Sequence, residues 1–378
     1  MTQTADATDP APATASVSPV RVMLVDDSAV VRGLIRRFVE PDPGIEIVAT
    51  AGNGEVAVTT LQRTPHVDVI VLDIEMPVMD GLTAIPLLLE VKPDVKIVMA
   101  STLTERNADA SLRALAAGAT DYLAKPSSGA GLSTADDFKH ELIEKIHALG
   151  DTASRKRPAG TVDRKSLPPA PVPKKPIMLR AGPVVKPEAL VIGSSTGGPQ
   201  ALTRFLAKVD PSITLPIFIT QHMPATFTAL LATHLTRDTG RTIVEASDGL
   251  AVRANEGYLA AGDNHMLIEG TRAAPIIRLS KSPKVNFCRP SVDPMMESLI
   301  SIYGGALLTV ILTGMGADGR NGCQMAVDAG GTVLAQDEAS SVVWGMPGAV
   351  AQAGLCREVL DIDALAPAVL KIVKGARS

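Results

Sequence analysis

Two sets of residues in this sequence have the types and spacing to do chemistry. The first is acidic and contains one lysine: Asp26, Asp27, Asp73 and Lys125, with Ser101 among them. Each closes a short Val/Ile-rich run that reads as a strand, so one parallel sheet would gather all five at its carboxyl edge, where open α/β sheets place functional groups. Three carboxylates crowded there repel one another unless a divalent cation neutralises them, and ligation by oxygen alone suits Mg2+. A lysine opposite them is placed to hold an oxygen of a transferred phosphoryl group, and a carboxylate can be the nucleophile that accepts it. Ordinary strand and helix capping would explain any single Asp, but not five residues landing on one edge.

The second set contains a serine, a histidine and an aspartate. Gly193-Ser194-Ser195-Thr196-Gly197 fits G-x-S-x-G between a strand and a helix that begins near Pro199. Such a turn exposes the central hydroxyl, here Ser195, at a helix N-terminus that favours developing negative charge. A serine needs a base and a group to orient that base. His222, in Gln221-His222-Met223-Pro224, follows the next strand and shares the rim with Ser195, whereas His234 falls inside an amphipathic helix and His265 opens a hairpin strand. Asp318, in Thr313-Gly-Met-Gly-Ala-Asp318-Gly, follows a third strand, and its glycine-rich loop leaves backbone N–H groups such as that of Met315 free to face a reaction centre. A dinucleotide cradle is the rival reading of these glycines. It fails on spacing, since the run is not G-x-G-x-x-G, and the next strand ends in Thr220-Gln221 with no acid for a ribose hydroxyl. The order Ser–His–Asp also differs from that of the α/β-hydrolases.

The elements needed to hold these residues can be read from periodicity. Strand-like runs at 22–25, 45–49, 67–72, 95–100 and 120–124 alternate with amphipathic stretches at 28–39, 54–63, 81–91, 104–117 and 135–149, which predicts a parallel sheet with helices on both faces. A Pro-rich basic stretch separates this block from a second one with strands at 189–193, 215–220, 242–245, 306–312 and 332–335, and 257–280 reads as an antiparallel hairpin inserted there. The expected fold is therefore α/β: two doubly wound parallel-sheet domains, the first flavodoxin-like, the second Rossmann-like with a β-hairpin insertion. The expected boundaries are a disordered tail over 1–19, a first domain over 20–147, a linker over 148–187 and a second domain over 188–376. Composition narrows the function. The 378 residues are 46% hydrophobic, 3% aromatic and carry a formal charge of −4, which leaves few stacking platforms for single strands and no basic surface for a polyanion, so no nucleic-acid partner is expected. No basic helix follows the linker to suggest a transcription factor. The three scattered cysteines form no disulfide framework or zinc site, and neither a signal peptide nor a span long enough to insert in a membrane is visible, so the expected location is the cytoplasm.

LVDDS at 24–28, LDIEMPVMDG at 72–81, MAST at 99–102 and Tyr122-Leu-Ala-Lys-Pro126 resemble a response-regulator receiver domain without departing from its pattern. That resemblance implies Asp73 as phosphoacceptor, Mg2+ held by Asp26, Asp27, Asp73 and the backbone carbonyl of Glu75, and Ser101, Tyr122 and Lys125 as the phosphoryl-binding and switch residues. IGSSTGGP at 192–199, QHMP at 221–224, AAGDNHM at 260–266, RPSVDPMMES at 289–298, LTGMGADG at 312–319 and QDEASSVVWGMPG at 336–348 resemble the catalytic domain of the chemotaxis protein-glutamate methylesterases, with Ser194 where that family often has Ala. The resemblance implies Ser195 as nucleophile, His222 as base, Asp318 as orienting acid, and Thr196 and Met315 beside the oxyanion. It implies demethylation of glutamate methyl esters on chemoreceptors and deamidation of receptor glutamines, with no cofactor for the hydrolysis. It also implies a chemotaxis histidine kinase as phosphodonor and an unphosphorylated receiver that covers the hydrolytic rim. Arg289 and the segment to Ser298 are expected near the substrate surface.

Overall fold

A computed structural model describes residues 18–102, 104–125, 132–155, 176–181 and 185–375. Most of the expected N-terminal tail and most of the Pro-rich linker lie outside these residues. The first unit runs β1 (Val20–Val25), α1 (Ala29–Val39), β2 (Ile45–Ala51), α2 (Gly54–Arg63), β3 (Val69–Asp73), α3 (Gly81–Val91), β4 (Lys96–Thr102), α4 (Glu105–Ala116), β5 (Asp121–Lys125) and α5 (Leu132–Arg155). All pairings are parallel and the strand order is β2-β1-β3-β4-β5, the flavodoxin-like arrangement. The continuous apolar runs of β1 and β3 follow from burial on both faces. Met23, Val25, Ile70 and Leu72 face a cluster with Leu61, Ala84 and Leu88, while Val22, Leu24, Val69 and Val71 face Ile35, Phe138 and Leu142. The helices start where polar caps dictate: Ser28, Asn53, Asp80 and Thr104 each accept a backbone N–H three residues on, worth about 1 kcal/mol apiece. α5 continues past both the expected helix end at 149 and the expected domain boundary at 147, because its helical pattern persists until the prolines begin.

The second unit runs β6 (Ala189–Ser194), α6 (Gly198–Leu206), β7 (Ile217–Gln221), α7 (Ala225–Thr239), β8 (Ile243–Glu245), β9 (Gly257–Leu259), β10 (His265–Thr271), β11 (Ala274–Ser280), α8 (Val292–Tyr303), β12 (Leu307–Ile311), α9 (Arg320–Asp328), β13 (Thr332–Gln336), α10 (Met346–Gln352), β14 (Glu358–Leu360) and α11 (Ile362–Val373). Its seven strands are parallel in the order β14-β13-β12-β6-β7-β9-β8. From β6 the chain builds outward through β7, then returns to the other side of β6 at β12. The switch point of the sheet lies between β6 and β12. The expected hairpin is present as β10 and β11, paired antiparallel from His265–Ser280 to Thr271–Ala274. Its first predicted segment differs: Gly257–Leu259 joins the main sheet between β7 and β8. Tyr258 and Leu259 are both fully buried, so no solvent face remained for a hairpin strand there.

The two units pack against each other. α4 lies on α6 and α7, and one apolar cluster contains Leu112 and Leu115 together with Leu202 and Leu231. The Tyr122 ring stacks on Phe227 of α7, centroids 4.6 Å apart at 20°. Gln200 of α6 donates to the carbonyls of Leu115 (3.3 Å) and Ala119 (2.7 Å), and His234 of α7 meets Asp109 at 3.4 Å.

Candidate active site and phosphoacceptor site

β6 delivers two serines to opposite environments. Ser194 is fully buried and donates its hydroxyl to Gln221 Oε1 at 2.7 Å. Ser195 is partly exposed, is held only by its backbone, and its hydroxyl makes no hydrogen bond among the described residues. Its N–H donates to Thr313 O (3.0 Å), and its carbonyl accepts from Gly198 N (2.7 Å) and Gln221 Nε2 (3.0 Å). Gly197 caps α6 at φ 73°, a left-handed conformation that a side chain would strain. Gly314 passes so close that a Cβ would sit 2.9 Å from that of Ser195. Thr196, buried, accepts from Thr313 Oγ1 at its carbonyl, and Met315 lies partly buried on the loop after β12.

His222 follows β7, its N–H bonded to Ser194 O at 3.1 Å, which ties it to the serine turn. Its Nε2 lies 2.7 Å from Asp318 Oδ2. Asp318, 2% exposed, is held from several sides: Oδ1 accepts from Ser291 Oγ (2.7 Å), Asn286 Nδ2 (2.8 Å) and Gly319 N (2.9 Å), and Oδ2 also accepts from Val292 N (2.7 Å). Burial alone would raise the Asp318 carboxyl, but His222 and these donors outweigh it and hold it near 2. Burial likewise opposes charge on His222, yet the bonds to Asp318 and Cys288 lift it to about 10. Nδ1 is the nitrogen left for a serine proton, and Cys288 Sγ sits 3.4 Å from it. The structure thus joins His222 to Asp318 and brings Ser195 to the same rim, without a hydrogen bond between Ser195 and His222.

Sequence reasoning passed over Asn286, Ser291, Gln221 and Cys288. Ser291 lay inside a quoted motif, but nothing local reveals that it turns toward a residue 27 positions away. Arg289 bonds Asp263 (2.6 Å) and the carbonyls of Lys281 and Ser282, which ties its guanidinium to the loop. His265 is buried, accepts from Ser291 N through Nδ1 and contacts Pro283 O, a structural use in keeping with its strand position.

In the first unit the acidic residues converge as their strand ends require. Carboxylate oxygens of Asp26, Asp27 and Asp73 lie within 4.8 Å of one another. Lys125 bridges Asp26 (2.7 Å) and Asp73 (2.8 Å). Burial raises the Asp73 carboxyl, and Lys125 offsets part of that rise. This hard-oxygen donor set fits Mg2+. Glu75 is exposed on the following loop. Ser101 pairs with Ser111 at 3.0 Å, and Tyr122 is buried beneath Phe227 rather than facing the acidic pocket's solvent.

Comparisons with known proteins agree with this division. A family model described as CheB methylesterase matches residues 190–369, and one described as response regulator receiver domain matches residues 22–135. A protein-glutamate methylesterase/protein-glutamine glutaminase of Azospirillum brasilense is 54% identical, covering 97% of this chain and 97% of its own. The protein so named of the group 2 operon of Rhodospirillum centenum is 51% identical over 94% of each. The crystallised CheB methylesterase catalytic domain of Thermotoga maritima, 37% identical, covers 50% of this chain and 99% of its own with a TM-score of 0.48. The class is a receiver domain joined to a CheB methylesterase domain. Within that class, the chain belongs to the family of protein-glutamate methylesterases/protein-glutamine glutaminases. No described helix is long and apolar enough to cross a membrane.

Proposed function

We propose that this protein is a phosphorylation-regulated serine hydrolase of the cytoplasm that removes methyl groups from glutamate esters on chemoreceptors and deamidates receptor glutamines. The observation that carries the reading is the buried Asp318–His222 pair on the sheet edge that presents Ser195, in a chain 54% identical over 97% of its length to a protein so named. Ser195 Oγ attacks the side-chain carbonyl while its proton passes to Nδ1 of His222, since Nε2 is engaged by Asp318. Cys288 must yield that nitrogen as substrate enters. The oxyanion accepts from the N–H groups of Thr196 and Met315. His222 then gives its proton to the leaving group, releasing methanol from an ester or ammonia from an amide. Water, deprotonated by His222, cleaves the glutamyl–Ser195 ester to glutamate.

The receiver supplies control, with a chemotaxis histidine kinase as phosphodonor. Asp26, Asp27, Asp73 and the Glu75 carbonyl would hold Mg2+, which when bound would supply the positive charge that lets Asp73 accept a phosphoryl group. Lys125 then exchanges a carboxylate for a phosphoryl oxygen, and Ser101 leaves Ser111 to reach the same group. Tyr122 follows Ser101 inward and abandons Phe227, which weakens the contact of α4 with α6 and α7. The test is methanol release from methylated receptors by purified protein, with and without a small phosphodonor. Phosphodonor-stimulated release that vanishes in Ser195→Ala and His222→Ala supports the reading; undiminished release from Ser195→Ala sinks it.

A further inference from the structure

The segment that joins the hairpin β10–β11 to α8 ends in a tight turn beside the His222–Asp318 pair. Val285 and Cys288 exchange both backbone hydrogen bonds, at 3.1 and 2.9 Å, around two central residues, Asn286 at φ 52° and Phe287 at φ 62°. Two left-handed central residues define the I′ kind of hairpin turn, whose sequence of choice is Asn-Gly. Asn286 suits its position, and its side chain bonds Asp318 and Asp293. Phe287 stands where glycine is favoured. The residue is 88% exposed, the most exposed of the large apolar residues described, and a bulky residue at positive φ is a conformational outlier. The ring therefore gives the fold neither burial nor an easy backbone.

The ring's neighbours show where it points its consequences. Asn286 bonds Asp318, Cys288 lies 3.4 Å from Nδ1 of His222, and Phe287 stands between these two in the chain. With the receiver docked, the ring centroid lies 6.4 Å from that of His140 of α5. A glutamyl side chain that is part of a protein can reach Ser195 and His222 only if the segment carrying it lies across this rim. We infer that Phe287 is a substrate-recognition residue, an apolar anchor that packs against the receptor segment flanking the methyl-ester or amide side chain. This inference rests on the activity proposed above. It concerns docking of the protein substrate and leaves the chemistry at Ser195 untouched.

Replacement by glycine separates the two roles, because Phe287→Gly keeps the turn and eases its backbone while removing the ring. The experiment uses the full chain in its phosphodonor-saturated form and measures three things: demethylation kinetics on methylated receptor, labelling of Ser195 by a small fluorophosphonate, and Tm. Phe287→Gly is expected to raise KM for receptor about tenfold with kcat near wild type, to leave the labelling rate unchanged and to keep or raise Tm. Phe287→Tyr should restore KM. An unchanged KM in the glycine variant overturns the inference. So does a labelling rate that falls in step with demethylation, which would mean that the ring acts through Asp318 and His222. If wild-type protein labels but demethylates no receptor, it is the activity itself that fails, and the inference with it.

Discussion

At the scale of single residues, burial separates two adjacent serines of identical chemistry. Ser195→Ala should abolish methanol and ammonia release with the fold intact. Ser194→Ala should keep most activity but lower stability by about 1–3 kcal/mol, since Gln221 Oε1 loses its buried donor. Thermal unfolding and ester hydrolysis of the two variants decide between them, and a dead Ser194→Ala with a native Tm would reverse the assignment. The His222 imidazole carries a sharper consequence. Lifted to about 10, it is mostly protonated near neutrality, so activity should climb with pH through the neutral range as the base is freed. Cys288 contributes to that lift, so Cys288→Ala should move the rising limb of the kcat/KM profile to lower pH and increase activity at pH 7. A limb that stays put would mean that the thiol does not tune the base. For stability the sign is the opposite. A folded-state pKa raised from 6.5 to about 10 means that the pairing stabilises fully below 6.5 and is lost as pH rises through 10. Asp318→Asn should flatten that decline.

At the scale of elements, α4, α6 and α7 form a contact between the two units through which the proposed control would act. The Tyr122–Phe227 stack is worth about 0.5–1.5 kcal/mol beyond its burial, enough for Tyr122, in the switch role proposed for it, to bias the interface without locking it. Gln200 is the cleaner handle, because its two bonds go to α4 and the loop after it and to no residue of either proposed site. Losing about 1 kcal/mol of docking there should raise the open fraction roughly fivefold. Gln200→Ala is thus expected to show about fivefold higher activity without phosphodonor and the same activity at saturation. Equal basal rates would show that this interface does not restrain the hydrolytic unit.

Across the whole molecule, two sheet edges on one chain are proposed to carry separable chemistry. Met315, Val342 and Val343, from loops at the hydrolytic edge, pack with the apolar cluster of Phe138 and Leu142, so the first unit sits on the rim it is proposed to control. Asp73→Asn should lose phosphate labelling and stay at the basal hydrolytic rate, whereas Ser195→Ala should label normally and hydrolyse nothing. Chelation of Mg2+ should reproduce the first result in wild-type protein without lowering basal hydrolysis. A drop in basal rate on chelation would couple the metal to the wrong site.

The sequence by itself determined the sheet edges and what stands on them. A strand's end is a local property, set by where a Val/Ile run gives way to polar or glycine residues, so Asp26, Asp73, Lys125, Ser195, His222 and Asp318 could be assigned to rims one at a time. Tertiary structure alone decided everything that depends on which loops meet. That includes the nitrogen of His222 that Asp318 takes, the burial of Ser194 beneath Gln221, and the packing of Tyr122 on a helix 105 positions away. It also moved Gly257–Leu259 from the expected hairpin into the main sheet, because a three-residue apolar run has no period that distinguishes the two. The turn at 285–288 is the plainest case: Asn286 without a following glycine is a weak turn signal, and only the folded chain shows the left-handed backbone and the placing of Cys288 beside His222.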